Sequence, residues 1–298
     1  MIYDIAGVSV EFIGDNDFLK MRSSIFEVKD QSILKSASDL SITATMTDTL
    51  HIPEGELIID ELAKWYRKKN PDEGFYITMH SKRDSAVDTI LETDPDWRNV
   101  TVRYLKSDLR YPVKENEYVN WNQYHIFQLA GIAFRNRAIS MDSITIHSSS
   151  FSIDGRGVIV SAPSGTGKST HTRLWKERYT ERVMMINDDR PLIRLFEGVP
   201  MLCGTPWSGS TDIYMDTKVP LAGIVMLERA AENSIERLDT CSALQMLIPR
   251  CFLPYFDEKL MNTAMKVIEK LVTAVPVYLL RCRPDHEAVE LVYKCVSL

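Results

Sequence analysis

The sequence lacks most of the features that mark secreted or membrane proteins. Its five cysteines are odd in number and include no C-x-x-C pair, so we expect reduced thiols in the protein core. No apolar run approaches the length of a transmembrane helix, and the first residues contain no basic region typical of a signal peptide. These absences predict a cytoplasmic protein that does not associate with a membrane.

Long runs of like charge, internal repeats and low-complexity tracts are also missing. Lys and Arg number 35 against 41 Asp and Glu, giving a net charge of −6. The densest cationic patch, at residues 67–69, is short, which argues against non-specific binding to nucleic acid as the main activity. The length of 298 residues suffices for one large domain or two ordinary ones.

The first 115 residues predict a smaller, strand-rich α+β domain. Several of its β-type runs alternate apolar and polar residues, as in a sheet with one face in water. A helix is predicted from Gly55 to Lys69, and a linker from Lys106 to Glu117. The predicted strands lie at residues 8–13, 41–46, 75–79, 87–91 and 100–105.

Residues 116–298 predict an α/β domain with a mixed sheet. A helix is expected from Trp121 to Arg137, followed by a strand over 143–153. Asp154-Gly155 then predicts a tight hairpin, so the strand up to Val160 is expected to run antiparallel to its predecessor. Glu197-Gly198 predicts a second hairpin. Later elements are expected to be strands at 220–227 and 276–282 and helices at 240–251, 257–274 and 284–296.

A glycine-containing loop follows the strand that ends near Val160, and a helical segment begins at Lys168. The spacing is that of a P-loop, or Walker A motif, except that Ala162 stands where the first glycine is usual. Glycines allow backbone N–H groups to converge on an anion, and the helix N-terminus adds its positive end. The alternative is a surface turn with a solvated lysine. The predicted nucleotide-binding residues are Ser164, Gly165, Thr166, Gly167, Lys168, Ser169 and Thr170.

Within the loop, Lys168 is expected to reach the β- and γ-phosphates of a nucleotide, and Ser169 to bind Mg²⁺. Asp188 and Asp189 follow a short apolar strand at 183–186, where a base or a second metal-site group is required if a nucleotide lies on the loop. Two adjacent aspartates also occur in ordinary turns. The sequence therefore predicts a nucleotide and Mg²⁺ as cofactors.

A third candidate segment contains two glycines and a tryptophan that we expect to be exposed. Such a segment either closes over a bound nucleotide or substrate or forms a rigid turn, and its residue types are compatible with both. If a phosphoryl group is transferred from the nucleotide, Arg173, Arg190 and Arg194 are candidates for stabilising its negative charge. The candidate substrate or loop residues are Arg190, Gly204, Thr205, Trp207 and Gly209.

Three features of the sequence together resemble those of a known superfamily: the hairpin that contains His147, the P-loop at 162–170 and Asn187-Asp188-Asp189. The superfamily is that of HPr kinases and ATP-type phosphoenolpyruvate carboxykinases. The resemblance covers about residues 141–298 and is greatest to uncharacterised HPr-kinase-like serine kinases, some of which phosphorylate precursor peptides in natural-product clusters. It implies a nucleotide-binding domain with a strongly curved mixed sheet. The segment Gly204–Gly209 is also similar to a feature of these relatives.

The same resemblance implies roles for three residues. Asp188 corresponds to a general base for the serine hydroxyl, His147 to the residue that assists Asp188, and Asp189 to a metal-site group. The sequence lacks the acidic C-terminal segment expected for docking HPr and is too short for a carboxykinase.

The sequence thus predicts a kinase that transfers the γ-phosphoryl group of ATP to a serine hydroxyl of a peptide or protein. A kinase for a small-molecule hydroxyl and a nucleotide sensor without transfer are the alternatives. The first domain is expected to recognise the acceptor or mediate assembly, including possible homo-oligomers.

Overall fold

The computed structural model describes residues 1–30, 37–209 and 211–296. Within them the chain divides into compact units of Met1–Ser140 and Met141–Leu298. Among these residues we find no helix whose length and apolar character would let it cross a bilayer.

The first unit is built on a sheet of mixed direction. β2–β3 and β3–β8 are parallel, while the other neighbours are antiparallel, in the order β1-β2-β3-β8-β7-β6-β5-β4. These strands are β1 (Ile2–Ile5), β2 (Val8–Ile13), β3 (Leu40–Met46), β4 (Gly55–Asp60), β5 (Ala63–Lys68), β6 (Phe75–His80), β7 (Val87–Thr93) and β8 (Asn99–Tyr104). The unit also contains α1 (Asp17–Ser23), a separate hairpin of β9 (Arg110–Lys114) and β10 (Glu117–Asn120), and α2 (Trp121–Ile139).

The five predicted strands are present, but the predicted helix at Gly55–Lys69 is wrong, because β4 and β5 form a hairpin there. Pairing with β6 overrides the local helix propensity of this segment. Trp65 is buried, and Tyr66 stacks on Tyr76 of β6 with ring centroids 4.6 Å apart. The linker predicted at 106–117 is likewise replaced largely by the β9–β10 hairpin.

Helix α2 belongs to the first unit, so the compact units divide later than the boundary predicted between residues 115 and 116. The indole Nε1 of Trp121 donates to Asp88 of β7 at 2.8 Å. At the other end of α2, Nε of Arg137 donates to the carbonyl of Asp39 at 2.8 Å. These contacts attach both ends of the helix to the first unit.

The second unit has a mixed sheet in the order β11-β15-β16-β17-β13-β12-β14, with β19 pairing with β17 and β18 with β19. Its strands are β11 (Ser143–Thr145), β12 (Ser149–Ile153), β13 (Arg156–Ser161), β14 (Val183–Asn187), β15 (Leu192–Phe196), β16 (Val199–Cys203), β17 (Lys218–Arg229), β18 (Ser234–Arg237) and β19 (Val277–Cys282). Its helices are α3 (Lys168–Tyr179), α4 (Thr240–Leu247), α5 (Glu258–Ala274) and α6 (His286–Val296).

Both predicted hairpins are confirmed. Asp154 and Gly155 have φ of 50° and 77°, and Glu197 and Gly198 have 50° and 85°, as tight turns between antiparallel strands require. The strand predicted over 143–153 is instead divided into β11, which pairs with β15, and β12, which pairs with β13 and β14. The helix predicted to reach residue 251 ends at Leu247 and continues as a 3-10 turn to Arg250.

A buried core packs β13 and its neighbouring strands against α3 and α6. Strands β12, β13, β17 and β19 contribute their apolar side chains to one cluster with α3 and α6. Trp175 of α3 is fully buried there and lies 4.7 Å from Phe151 between ring centroids. Strand β13 is parallel to β17, and β17 is parallel to β19, so their carboxyl ends lie along one edge of the sheet.

Candidate active site

The chain turns sharply at two glycines between β13 and α3. Gly165 has φ of 74° and Gly167 has φ of 123°. Residues with a Cβ rarely adopt such positive φ values. A Cβ added at either position would meet no atom within 4 Å. Backbone conformation, and not close packing, is therefore the reason that these positions need glycine.

Helix α3 begins directly after this turn. The residue at its N-cap, Gly167, has no side chain with which to accept a hydrogen bond from the first turn. The N–H groups of that turn and the positive end of the helix dipole are therefore directed at the loop. This is the arrangement that binds phosphate groups at helix N-termini.

Lys168, the first residue of α3, folds back over the loop. Its Nζ donates to the carbonyl of Ala162 at 3.0 Å. Burial lowers the pKa of the Lys168 ammonium, the charge of Asp189 opposes this effect, and the charge of Arg250 adds to it. The negative charge of Asp189 thus acts on the Lys168 ammonium.

Asn187, at the end of β14, fixes the backbone that carries the two aspartates. It is fully buried, and its Oδ1 accepts from the N–H groups of Asp189 and Arg190 at 2.9 and 2.7 Å. Its Nδ2 donates to the carbonyls of Thr205 and Trp207 at 3.0 and 3.2 Å. One side chain therefore connects the acidic turn to the segment at 204–209.

The two aspartates have different partners. Asp188 Oδ1 accepts from the N–H of Gly209 at 2.6 Å, and Oδ2 accepts from the N–H of Thr211 at 3.1 Å and from its hydroxyl. Asp189 Oδ1 lies 3.3 Å from Nε2 of His147, and Oδ2 lies 3.0 Å from Nε of Arg190. The structure therefore corrects the expected pairing of His147 with Asp188, because the imidazole contacts Asp189 instead.

His147 lies in the break between β11 and β12. Its N–H donates to the carbonyl of Arg250 at 2.8 Å, and its carbonyl accepts from the Ser161 hydroxyl at 2.8 Å. Burial and the charge of Lys168 lower the pKa of the His147 imidazole, whereas Asp189 opposes the shift and Arg250 adds to it. The neutral imidazole is thereby favoured.

The segment at 204–209 is more enclosed than its sequence predicts. Trp207 is only 6% exposed and Thr205 is 2% exposed, which corrects the expectation of an exposed tryptophan. The Thr205 hydroxyl donates to the carbonyl of Arg190 at 2.8 Å. A Cβ at Gly204 would come within 1.8 Å of the carbonyl oxygen of Met215. Residues 204–207 thus form a buried support for the acidic turn, and Gly209 contacts Asp188.

Two arginines at this site were missed in the sequence. Arg229, at the end of β17, donates through Nε to the carbonyl of Thr166 at 2.9 Å and through its guanidinium to that of Gly165. Arg250 lines a cavity of about 710 Å³ together with Ser164–Thr166 and the end of β17. Neither position carries a local motif, since each depends on the ends of distant elements meeting at the loop between β13 and α3.

The residues present suit a magnesium ion. Hydroxyl and carboxylate oxygens are hard ligands, and Mg²⁺ usually combines one or two carboxylates with phosphate oxygens and water. Ser169, at the exposed start of α3, and Asp189 are such donors. Among the described residues no group of three or more His, Cys, Asp or Glu side chains forms a site that could hold a metal ion alone. A metal ion here would therefore depend on the nucleotide for part of its coordination.

The structure is similar to that of the HPr(Ser) kinase/phosphatase from Coxiella burnetii, with 11% sequence identity and a TM-score of 0.32. The similarity covers 51% of this chain and 88% of that chain. No protein-family model and no curated protein matches the sequence.

Proposed function

We propose that this protein is a kinase that uses ATP and Mg²⁺ to phosphorylate a serine hydroxyl of a peptide or protein. The observation that carries the proposal is the P-loop itself, with Lys168 folded onto Ala162 at the uncapped start of α3. Asp189 lies within electrostatic reach of the same lysine. An HPr-kinase-like fold related to the carboxykinases is part of the proposal.

In the proposed site, the N–H groups of residues 164–170 bind the phosphates, and Lys168 neutralises the charge between the β- and γ-phosphates. Ser169 and Asp189 would hold Mg²⁺, which supplies further charge neutralisation on the phosphates when it is bound. His147 and Arg190 orient the Asp189 carboxylate through their contacts with its two oxygens.

Asp188 remains the proposed base for the acceptor hydroxyl. Its carboxylate accepts hydrogen bonds from Gly209 and Thr211, so an acceptor hydroxyl would have to replace one of these donors. A weak base is sufficient here, because positioning contributes more than proton abstraction to phosphoryl transfer.

A kinase for a small-molecule hydroxyl is the second candidate, and the cavity beside the P-loop favours it. Its volume of about 710 Å³ lies within the range of small-molecule sites, roughly 300–1,000 Å³. Its lining combines apolar side chains such as Met226 with polar ones such as Gln245.

The test measures transfer of label from γ-labelled ATP, with Mg²⁺, to a library of serine-containing peptides and to a library of hydroxyl-bearing metabolites. We expect Lys168→Ala to abolish transfer and to weaken ATP binding, whereas the matched change Lys176→Ala, at an exposed position of the same helix, leaves both unchanged. Labelling of metabolites alone supports the second candidate. ATP binding that needs Lys168 without transfer to either library would identify a nucleotide sensor, and equal ATP binding by both variants would refute nucleotide binding at the P-loop.

A further inference from the structure

The sheet of the first unit has two outer edges that differ. At the β1 edge, the N–H of Val28 donates to the carbonyl of Ile2 at 3.0 Å, and Tyr3 forms a β-bridge with Glu27. At the opposite edge lies β4, which pairs with β5. In the described part of the chain no other segment pairs with β4, so its outer edge is open.

The register of the β4–β5 hairpin shows which backbone groups face outward. The N–H of Lys69 donates to the carbonyl of Glu54 at 3.3 Å, and hydrogen-bonded and non-hydrogen-bonded positions alternate along an antiparallel pair. Gly55 and Leu57 occupy non-hydrogen-bonded positions of this register. Their N–H and C=O groups therefore point away from β5, where they have no partner among the described residues.

Strand β4 also exposes apolar side chains beside these backbone groups. Leu57 is 45% exposed, and Leu62, in the turn that follows β4, is 92% exposed. Ile58 and Ile59 are half-buried. An edge strand with open hydrogen-bonding groups and exposed apolar side chains is a template to which an extended chain can add as a further strand.

The charge around β4 favours a cationic occupant. Residues 51–62 contain four carboxylates and no Lys or Arg. Two of these carboxylates, Glu54 and Asp60, pair with lysines at 2.9 and 2.8 Å. The other two, Glu56 and Glu61, form no ion pair with any described residue. Lysine or arginine side chains on an added strand would be attracted to them, whereas further carboxylates would be repelled.

A second copy of the same sheet fits this edge less well than a single peptide. The register shifts between Leu57 and Ile59, so β4 contains a bulge, and a bulge bends an edge strand and hinders its pairing with another rigid sheet. Two copies of β4 would also bring their carboxylates close together. A single extended peptide can follow the bend and supply the opposite charge.

We propose that β4 is a docking strand for an extended peptide segment that contains lysine or arginine and adds to the sheet as a further strand. The outward backbone groups of Gly55 and Leu57 form hydrogen bonds with this segment, and Glu56 and Glu61 attract its cations. The inference goes beyond the proposed function. Its test contains no nucleotide, so either proposal can fail without the other.

The probe is a short fluorescein-labelled peptide of alternating lysine and valine, and its binding to the full chain is measured by fluorescence anisotropy at physiological ionic strength. We expect it to bind at least about tenfold more tightly than two matched peptides. In one of these, glutamate replaces lysine. In the other, proline replaces valine, which keeps the charge but removes half of the backbone donors. Hydrogen exchange followed by mass spectrometry should be slower at residues 55–60 when the lysine–valine peptide is bound.

Substitutions in β4 test the strand itself. Leu57→Pro removes an outward N–H and should weaken binding of the lysine–valine peptide by about tenfold, whereas Leu57→Thr keeps this N–H and should weaken it less. Glu56→Lys should weaken binding by roughly fivefold. The matched control is Glu115→Lys, in the exposed turn between β9 and β10, which should bind as the wild type does. Thermal unfolding checks that each variant is folded, and Glu56→Lys decides the question if Leu57→Pro is not.

Selective binding of the lysine–valine peptide with slower exchange at residues 55–60 supports the proposal. Equal binding of the lysine and glutamate peptides, wild-type affinity in the folded β4 variants, or unchanged exchange at residues 55–60 would refute it. A dimer in sedimentation, with exchange at residues 55–60 that slows as protein concentration rises without peptide, would show that a second copy occupies the edge and would refute it as well.

Discussion

The imidazole of His147 lies against the carboxylate of Asp189, with 3.3 Å between Nε2 and Oδ1. Lys168 and Arg250 are close enough for their charges to act on the same imidazole. Asp188, the next residue along the chain, instead accepts hydrogen bonds from Gly209 and Thr211. Adjacent acidic residues thus have separate environments, and substitutions at the two positions should have separable effects.

We predict that Asp189→Asn lowers the pKa of His147 further, because it removes the negative charge that opposes the effects of burial and of the two cations. The matched change Asp188→Asn should leave the pKa of His147 in place. Proton NMR titration of the histidine C2 signals in magnesium-free buffer measures both, with His147→Gln to assign the resonance. Equal shifts in the two variants would contradict the separation of the two carboxylates.

Asn187 is predicted to be required for the stability of the acidic turn. Asn187→Asp replaces a buried donor of two hydrogen bonds with an oxygen that faces two carbonyls. We expect a loss of about 3 kcal/mol in the free energy of unfolding, because the carbonyls lose their donor and a charge is buried.

Urea-induced unfolding measures this loss. Asn262→Asp, on the exposed face of α5, is the control and should change stability by much less. If the two variants unfold at the same urea concentration, Asn187 does not hold the turn together.

The sequence was sufficient to predict the sharp loop between β13 and α3 and the start of that helix, because the signals for them are local. Glycines at positive φ, a lysine at the start of a helix and an acidic pair after a short apolar strand are all read within a few residues. The signals for the hairpins at Asp154-Gly155 and Glu197-Gly198 are also local, since a tight hairpin turn favours particular residue types at its two central positions.

The remainder depended on contacts between distant segments. The segment Gly55–Lys69 has helix-forming residues, yet it forms the β4–β5 hairpin, because β5 also pairs with β6. Trp207 is buried in the segment after β16, where Asn187 of β14 donates to its carbonyl, and no neighbouring residue in the sequence signals this contact. The pairing of His147 with Asp189 and the positions of Arg229 and Arg250 likewise require the sheet order.

Arg229 is predicted to shape the P-loop before a nucleotide binds. It donates hydrogen bonds to the carbonyls of Gly165 and Thr166 and so restrains the loop from the end of β17. Arg229→Met keeps the apolar stem but removes these donors. We expect the dissociation constant for the Mg²⁺ complex of AMP-PNP, a non-hydrolysable analogue of ATP, to rise by roughly tenfold, because the loop must then be ordered on binding. Thermal stability should change little.

Calorimetry with Arg229→Met and with the exposed control Arg237→Met makes this comparison. Arg229→Met should weaken the binding of ADP and of AMP-PNP together, because both ligands carry phosphates that the loop would hold. Wild-type affinity for both ligands in Arg229→Met would show that the loop holds its shape without this arginine.

His171 is predicted to make the second unit sensitive to acid. It is 2% exposed, and its Nε2 accepts a hydrogen bond from the indole of Trp175 at 3.0 Å, which requires the neutral ring. Burial lowers the pKa of His171 to about 4. As pH falls below about 6.5, the value in an unfolded chain, the unfolded state therefore takes up a proton that the folded state does not bind.

The resulting loss of stability begins near pH 6.5 and is complete near pH 4, and from this difference in pKa it amounts to about 3 kcal/mol. His171→Gln keeps an acceptor for the indole and removes the titration, so its unfolding free energy should fall less steeply across this interval. Urea-induced unfolding followed by tryptophan fluorescence at several pH values measures the slope. His286→Gln, at an exposed position at the start of α6, should retain the wild-type slope. If His171→Gln also retains it, protonation of His171 in the unfolded state is not a source of the acid sensitivity.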